Sequence, residues 1–226
     1  MTLFVIINDT ELEAFMQLRD PHFQELLLEF SQEVNSAKRK QLEEAIWQSY
    51  GMENTILILD MSGFSLLTRK YGIIHYLSMI RRMQMTVEPI IASHGGRVIK
   101  FEADNCFALL PDPLAAARTA ITIQHAFAAT NLLTPDEMDI HVTIGIDYGK
   151  ILIVNDEDIF GDAVNRACKL GEDIGLANEI LITKEAMDMI PDEANIQGKP
   201  IEVSIGGQSI PAYLVTYRPH AEEEQQ

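Results

Sequence analysis

The stretch "TILILDMSGFSLL", residues 55–67, constrains the fold more than any other part of the chain. Four apolar residues, Ile56 to Leu59, run without interruption, which reads as a short strand buried on both faces. The run ends on Asp60, a poor strand residue, and the Ser62–Gly63 step turns the chain straight into a helix. A carboxylate delivered to the edge of a buried strand has either a capping reason or a chemical one.

The downstream pattern alternates. Ile73, Leu77, Ile80, Val87 and Ile91 mark one long amphipathic helix, closed by Gly95–Gly96. "RVIKFEADNCFALL" reads as two strands around an "EADN" turn, because Asp and Asn favour turns. An Ala-rich helix follows over about 113–130, and "DIHVTIGIDYGKILIVND" reads as a strand, a Tyr-Gly turn and a strand. A helix begins near Gly161, "EILIT" is a strand, and "IEVSIGGQSIPAYLVTY" is a last hairpin. The order predicts an α+β fold, a ferredoxin-like or palm-type mixed sheet covered by helices on one side, over residues 54–217.

Residues 1–50 read as a helical N-terminal extension that packs on the main domain or on a second copy, and that serves a regulatory partner or dimer packing. Phe23, Leu26, Leu27, Phe30 and Val34 share one helical spacing, and Leu42, Ala45 and Ile46 share another. "SAKRK" at 36–40 is a polar break between them, and Trp47 anchors the segment. Residues 218–226 read as a disordered acidic tail.

The net charge of −17 disfavours a nucleic-acid partner. It also repels nucleotides, so a nucleotide site must overcome that field locally with metal ions or placed cations. Two cysteines in apolar contexts point to reduced thiols and a cytoplasmic setting. No apolar run approaches the ~20 residues of a membrane span. The opening "MTLFVII" lacks the basic flank of a secretory signal. Six scattered histidines show no zinc-ligand spacing.

In such a sheet the first strand neighbours the hairpin, so Asp60 and Asp104 converge at one edge. Two convergent carboxylates repel unless a cation lies between them, and hard divalent ions suit that arrangement. The turn at Ser62, Gly63 and Phe64 opens a helix, where exposed backbone N–H groups bind phosphate.

Four blocks, "LDMSGFSLL", "GGRVIKFEADNCFALL", "GIDYGKIL" and "DIFGDAVNRACKL", together resemble the catalytic domain of class III nucleotide cyclases over residues 54–217. The resemblance implies a homodimer with shared active sites. Asp60 and Asp104 would hold two divalent ions, Mg²⁺ or Mn²⁺, helped by the carbonyl of Met61. Lys100 and Asp158 would select the base. A lysine donor and an aspartate acceptor match the Watson–Crick edge of adenine, which favours ATP. Asn165 would orient the ribose. Lys169 stands where the family carries an arginine that stabilises charge on the phosphates, and lysine loses the planar fork.

Two further departures are Ala103, in place of a glycine, and Ile205, in place of a phosphate-binding lysine. The implied activity is a slow adenylate cyclase. Two alternatives stay open: a catalytically degenerate nucleotide-binding regulatory protein, and a dimerising module acting through residues 1–50. The Gly-Gly-Asp/Glu-Glu-Phe block of a polymerase-palm diguanylate cyclase is missing.

Overall fold

The computed structural model describes residues 20–217 except 206 and 207. The first nineteen residues of the expected extension and the 218–226 tail lie outside the described residues, as do the side chains of Phe64 and Ile205. The chain divides into two compact units, Met1–Met52 with Leu152–Phe160, and Glu53–Ile151 with Gly161–Gln226.

In the first unit, α1 (Pro21–Gln32) and α2 (Ser36–Tyr50) form a helical hairpin. Asp20 caps α1 by accepting from the Phe23 N–H at 3.0 Å, and Asn35 caps α2 by accepting from Ala37 and Lys38. The polar run "SAKRK" is therefore the start of α2, and the break lies at residues 33–35. Asn35 sets that boundary because its side chain satisfies the orphan amides. Val34 lies in the break and is almost wholly exposed. Phe23, Ile46 and Val154 form a small core with Leu26, Tyr50 and Leu152. The Phe23 ring meets Tyr50 edge-on at 4.8 Å and stacks on Phe160 at 6.2 Å.

The second unit is built on a mixed sheet. Its strands are β1 (Gly51–Met61), β2 (Arg97–Glu102), β3 (Asn105–Leu110), β4 (Val142–Val154), β6 (Ile180–Thr183), β7 (Gln197–Ile205) and β8 (Gln208–Thr216). The short β5 (Asp158–Phe160) and the end of β4 that it pairs with, Leu152–Val154, fall in the first unit. The order is β2-β3-β1-β4-β6-β8-β7. β4 and β6 are parallel, while β1–β3, β2–β3, β6–β8 and β7–β8 are antiparallel. Ile56 to Leu59 of β1 are completely buried, each contributing about 1.5–3 kcal/mol of transfer free energy.

The helices are α3 (Phe64–Tyr71), α4 (Ile73–Ser93), α5 (Pro113–Asn131), α6 (Asp162–Cys168) and α7 (Lys184–Met187). A π-helical turn, Lys169–Ile174, continues α6. The main core gathers Leu57 and Leu59 of β1, Met79 and Met83 of α4, Ala120 and Ile123 of α5, and Ile180 and Ile182 of β6. Leu181, between the two β6 isoleucines, instead packs with Leu170 of the π turn, Val203 and Ala212. Alternation along a strand puts those clusters on opposite faces, so helical segments cover both faces of the sheet and not one.

Two local expectations are revised. The buried stripe of α4 is Tyr76, Met79, Met83, Val87 and Ile91, while Ile73 and Leu77 are exposed. Methionine and tyrosine carry the inward face there, which a count of aliphatic residues overlooks. The Tyr148–Gly149 pair does not turn, because β4 runs unbroken for 13 residues. The turn falls at Asn155 and Asp156, both at positive φ (54° and 57°), a conformation that Asn and Asp tolerate.

Candidate active site

Strand register builds the first corner of the site. Asp60 pairs with Asn105 and Leu59 with Cys106, so Asp104, the residue just before β3, sits beside the end of β1. Tyr76, fully buried on α4, donates its hydroxyl to Asp104 Oδ2 at 2.8 Å. Tyr76 thus orients one of the two carboxylates, a role that sequence spacing did not signal. Burial pushes the Asp60 carboxyl up to about 7, and the charges of Asp104, Glu172 and Asp173 add to the rise. The Met61 N–H hydrogen-bonds the Asp60 carboxylate and opposes it. Burial and the Asp104 charge likewise raise the Tyr76 phenol.

These residues suit a divalent cation. The donors are hard oxygens, two carboxylates with the Met61 carbonyl at the strand end, and their mutual repulsion is what an intervening cation relieves. Among the described residues no group of three or more His, Cys, Asp or Glu side chains is arranged to hold a metal. An ion at Asp60 and Asp104 would therefore complete its shell with water and substrate phosphates, as Mg²⁺ usually does.

The Ser62–Phe64 turn differs in one respect from expectation. The Ser62 N–H donates to the His141 carbonyl at 2.9 Å, so this amide is committed to the fold and not to a phosphate. Gly63, at φ 95°, occupies the N-cap of α3, and no side chain caps that helix. The helix-start amides of this turn therefore begin after Ser62.

At the hairpin tip Ala103 adopts φ 51°, the left-handed region that a glycine would occupy without strain. Lys100 on β2 lies across from Phe107, with Nζ 2.9 Å from Glu102 and 4.8 Å from the Phe107 ring centroid. Its charge also acts on Cys168 at the end of α6. Asp158 opens β5 and accepts from the Ile159 N–H at 3.2 Å; it belongs to the other compact unit.

The second corner is α6 and its π turn. Asn165 and Lys169 are both exposed and four residues apart, on one helical side. The Lys169 ammonium is hydrogen-bonded to Asp173 one turn on, which raises its pKa. Arg166 reaches back to Asp147 and Asp162. Asp147 is fully buried; burial pushes its carboxyl up, against the opposing hydrogen bonds from Thr183, Arg166 and Tyr148. The Cys106 and Cys168 thiols are both pushed up to about 12, chiefly by burial, and Cys168 is only partly enclosed. On the last hairpin Ile205 pairs with Gln208, and Lys199 lies six residues upstream on β7.

A family model for the adenylate and guanylate cyclase catalytic domain matches residues 48–216, and the chain belongs to that family. The "Putative adenylate cyclase 3" of Rhizobium meliloti (strain 1021) is 31% identical over 115 residues, covering 51% of this chain and 19% of that protein. An uncharacterised protein of Mycobacterium tuberculosis (strain ATCC 25618 / H37Rv) is 24% identical over 165 residues, covering 73% of this chain and 41% of that one. The chain thus spans less than half the length of these relatives.

Among solved structures, an adenylate/guanylate cyclase/hydrolase from Silicibacter pomeroyi is similar at 27% identity and TM-score 0.64, over 74% of this chain and 98% of that one. The adenylyl cyclase CyaB from P. aeruginosa shares the fold at 18% identity and TM-score 0.64, over 75% and 97%. Among the described residues no helix is long and apolar enough to cross a membrane.

Proposed function

We propose that this chain is an adenylate cyclase, converting ATP to cyclic AMP and pyrophosphate at sites shared between two copies of itself. The observation that carries this reading is the register that sets Asp104 beside Asp60 at the end of a buried strand. In it, Asp60 and Asp104 hold two divalent ions, Mg²⁺ or Mn²⁺, with the Met61 carbonyl. When bound, those ions supply charge that acidifies the ribose 3′-hydroxyl and neutralises the phosphates. Tyr76 keeps Asp104 in place through its 2.8 Å hydrogen bond. Base selection falls to the partner copy, whose Lys100 and Asp158 match adenine; its Asn165 orients the ribose, and Lys169 beside that asparagine faces the phosphates. The 3′-oxygen bonds to the α-phosphorus as the bond to the β-phosphate oxygen breaks. Pyrophosphate leaves and the hydroxyl proton passes to solvent.

The reading implies a slow enzyme, because Lys169 is a point charge already engaged by Asp173. The test is a product assay with ATP, GTP, CTP and UTP side by side, each with Mn²⁺ and with Mg²⁺, against an Asp104→Ala control. Cyclic AMP above that control supports it. No cyclic AMP above control from ATP with either ion sinks it.

Two observations favour a second reading, a nucleotide-binding regulatory protein that no longer turns over: the Lys169–Asp173 pair and the left-handed Ala103. Calorimetric ATP binding without product would select it.

A further inference from the structure

Lys169 leaves α6 without a guanidinium at the position where phosphate charge is expected, and Arg166 stands one turn earlier on the same helix. Its guanidinium is already committed. Nε donates to Asp147 Oδ2 at 2.6 Å, and Nη1 is bonded to Asp162. Asp147 is fully buried on β4, and its other oxygen accepts from the Thr183 hydroxyl and from the Tyr148 N–H at 2.7 Å. Thr183 ends β6, and its Oγ1 accepts from the Ala186 N–H at 3.4 Å to cap α7. One line of hydrogen bonds therefore runs from α6 through β4 to the junction of β6 and α7.

The backbone contacts beneath α6 are equally tight. A Cβ on Gly149 would lie 3.1 Å from the Ala163 Cβ. A Cβ on Gly145 would lie 2.1 Å from the Ala167 carbonyl oxygen and 2.6 Å from the Gly171 nitrogen. These glycines let α6 press onto β4, but small contacts alone leave rotation about the helix axis weakly held. Asn165 and Lys169 project from the exposed side of that helix. At a helix radius of about 5–6 Å, a rotation of ~10–20° moves their tips by roughly 1–2 Å. Misplacement on that scale costs about a hundredfold in rate.

We propose that Arg166 is a positioning residue: its clamp to Asp147, itself fixed by Thr183, sets the rotation of α6 and so aims Asn165 and Lys169, and Arg166 does not replace the missing phosphate-binding arginine. What α6 aims at rests on the adenylate cyclase reading above; the clamp itself does not. A buried carboxylate bonded on both oxygens defines one geometry more strictly than apolar packing does.

The test uses the full chain and five variants: Arg166→Leu, Arg166→Lys, Thr183→Val, Asn165→Ala, and Arg166→Leu combined with Asn165→Ala. Each is read by kcat and KM for ATP with Mn²⁺, and by hydrogen exchange across residues 162–169. Arg166→Leu is expected to lower kcat about 10- to 100-fold with KM within about twofold. Amide exchange in α6 should rise while that of β1 stays unchanged. Arg166→Lys should recover only part of the rate, because lysine has no planar fork. The double variant should lose less than the product of the two single losses, since part of the Arg166 effect acts through Asn165.

A rise in KM that matches the fall in kcat would mean that Arg166 touches the phosphates, and would overturn the proposal. So would fully additive losses, or unchanged exchange in α6. Thr183→Val leaves Arg166 whole and should give the same exchange signature at smaller size, which decides the matter if Arg166→Leu does not fold. If the wild-type chain makes no cyclic AMP, the adenylate cyclase reading fails, while the exchange measurements still decide whether Arg166 fixes α6.

Discussion

Two corners of the catalytic unit reach their geometry by different means. The Asp60–Asp104 corner is set by backbone register: antiparallel pairing of β1 with β3 leaves the carboxylates no choice of neighbour. The α6 corner is set by side chains, through Arg166, Asp147 and Thr183, on a helix of only seven residues followed by a π turn. A register slip flips every side chain of a strand, so the first corner is all-or-none. A helix can rotate by degrees, so the second corner is graded. Loss at the first should abolish chemistry, and change at the second should tune it.

The largest expected effect follows from the all-or-none corner. Asp104→Ala removes one of the two carboxylates proposed to hold the metal ions, and the acceptor of the Tyr76 hydroxyl. Cyclic AMP formation should fall about a thousandfold or more, several kcal/mol of transition-state stabilisation. Calorimetric Mn²⁺ binding should be lost with it. Retained Mn²⁺ binding in this variant would mean that the cation lies elsewhere.

At the graded corner the direction reverses. Lys169→Arg should raise kcat by about tenfold, because the guanidinium can hold a phosphate with two hydrogen bonds while Asp173 competes for only part of it. A variant no faster than wild type would remove Lys169 from the phosphate contacts and weaken the contrast between the corners.

The same contrast explains what was legible in the sequence. "TILILD" revealed both the buried strand and its terminal carboxylate, because a short apolar run and a misplaced Asp are local signals. The Asp104 turn was equally local. The α6 clamp was not: Arg166, Asp147 and Thr183 lie 19 and 36 residues apart, on two strands and a helix. An aspartate inside "TIGIDYG" was the one available hint, since a strand carboxylate needs a partner. The Tyr148–Gly149 step looked like a turn because glycine often marks one. Here glycine serves the close approach of α6 to β4. Ser62 was read as a phosphate donor because sequence does not tell where an amide is spent, and His141 takes it.

A pH experiment sharpens the electrostatic half of the comparison. Without metal, burial and the neighbouring Asp104 push Asp60 up to about 7. A carboxyl raised in the folded state contributes stability that is whole below its unfolded pKa of about 4, and that is lost as pH rises through about 7. In chelator, the Tm of wild type should therefore fall between pH 5 and 8 by a few degrees more than that of Asp60→Asn. Parallel curves would mean that Asp60 is well solvated and that repulsion at this edge is weak.

The smallest effect separates backbone geometry from chemistry within the hairpin itself. Ala103 holds φ 51° next to Asp104. A left-handed non-glycine residue costs about 1–2 kcal/mol, and glycine there adds back about 0.5–1 kcal/mol of unfolded-state entropy. Ala103→Gly should therefore stabilise the protein by about 0.5–1 kcal/mol, a rise in Tm of roughly 1–4 °C. The β1–β3 register is fixed by many backbone hydrogen bonds and does not depend on this residue, so Mn²⁺ binding should change by less than about twofold. If instead Ala103→Gly strengthened Mn²⁺ binding tenfold, strain at the tip would be holding Asp104 away from its partner. The register-built corner would then be graded as well.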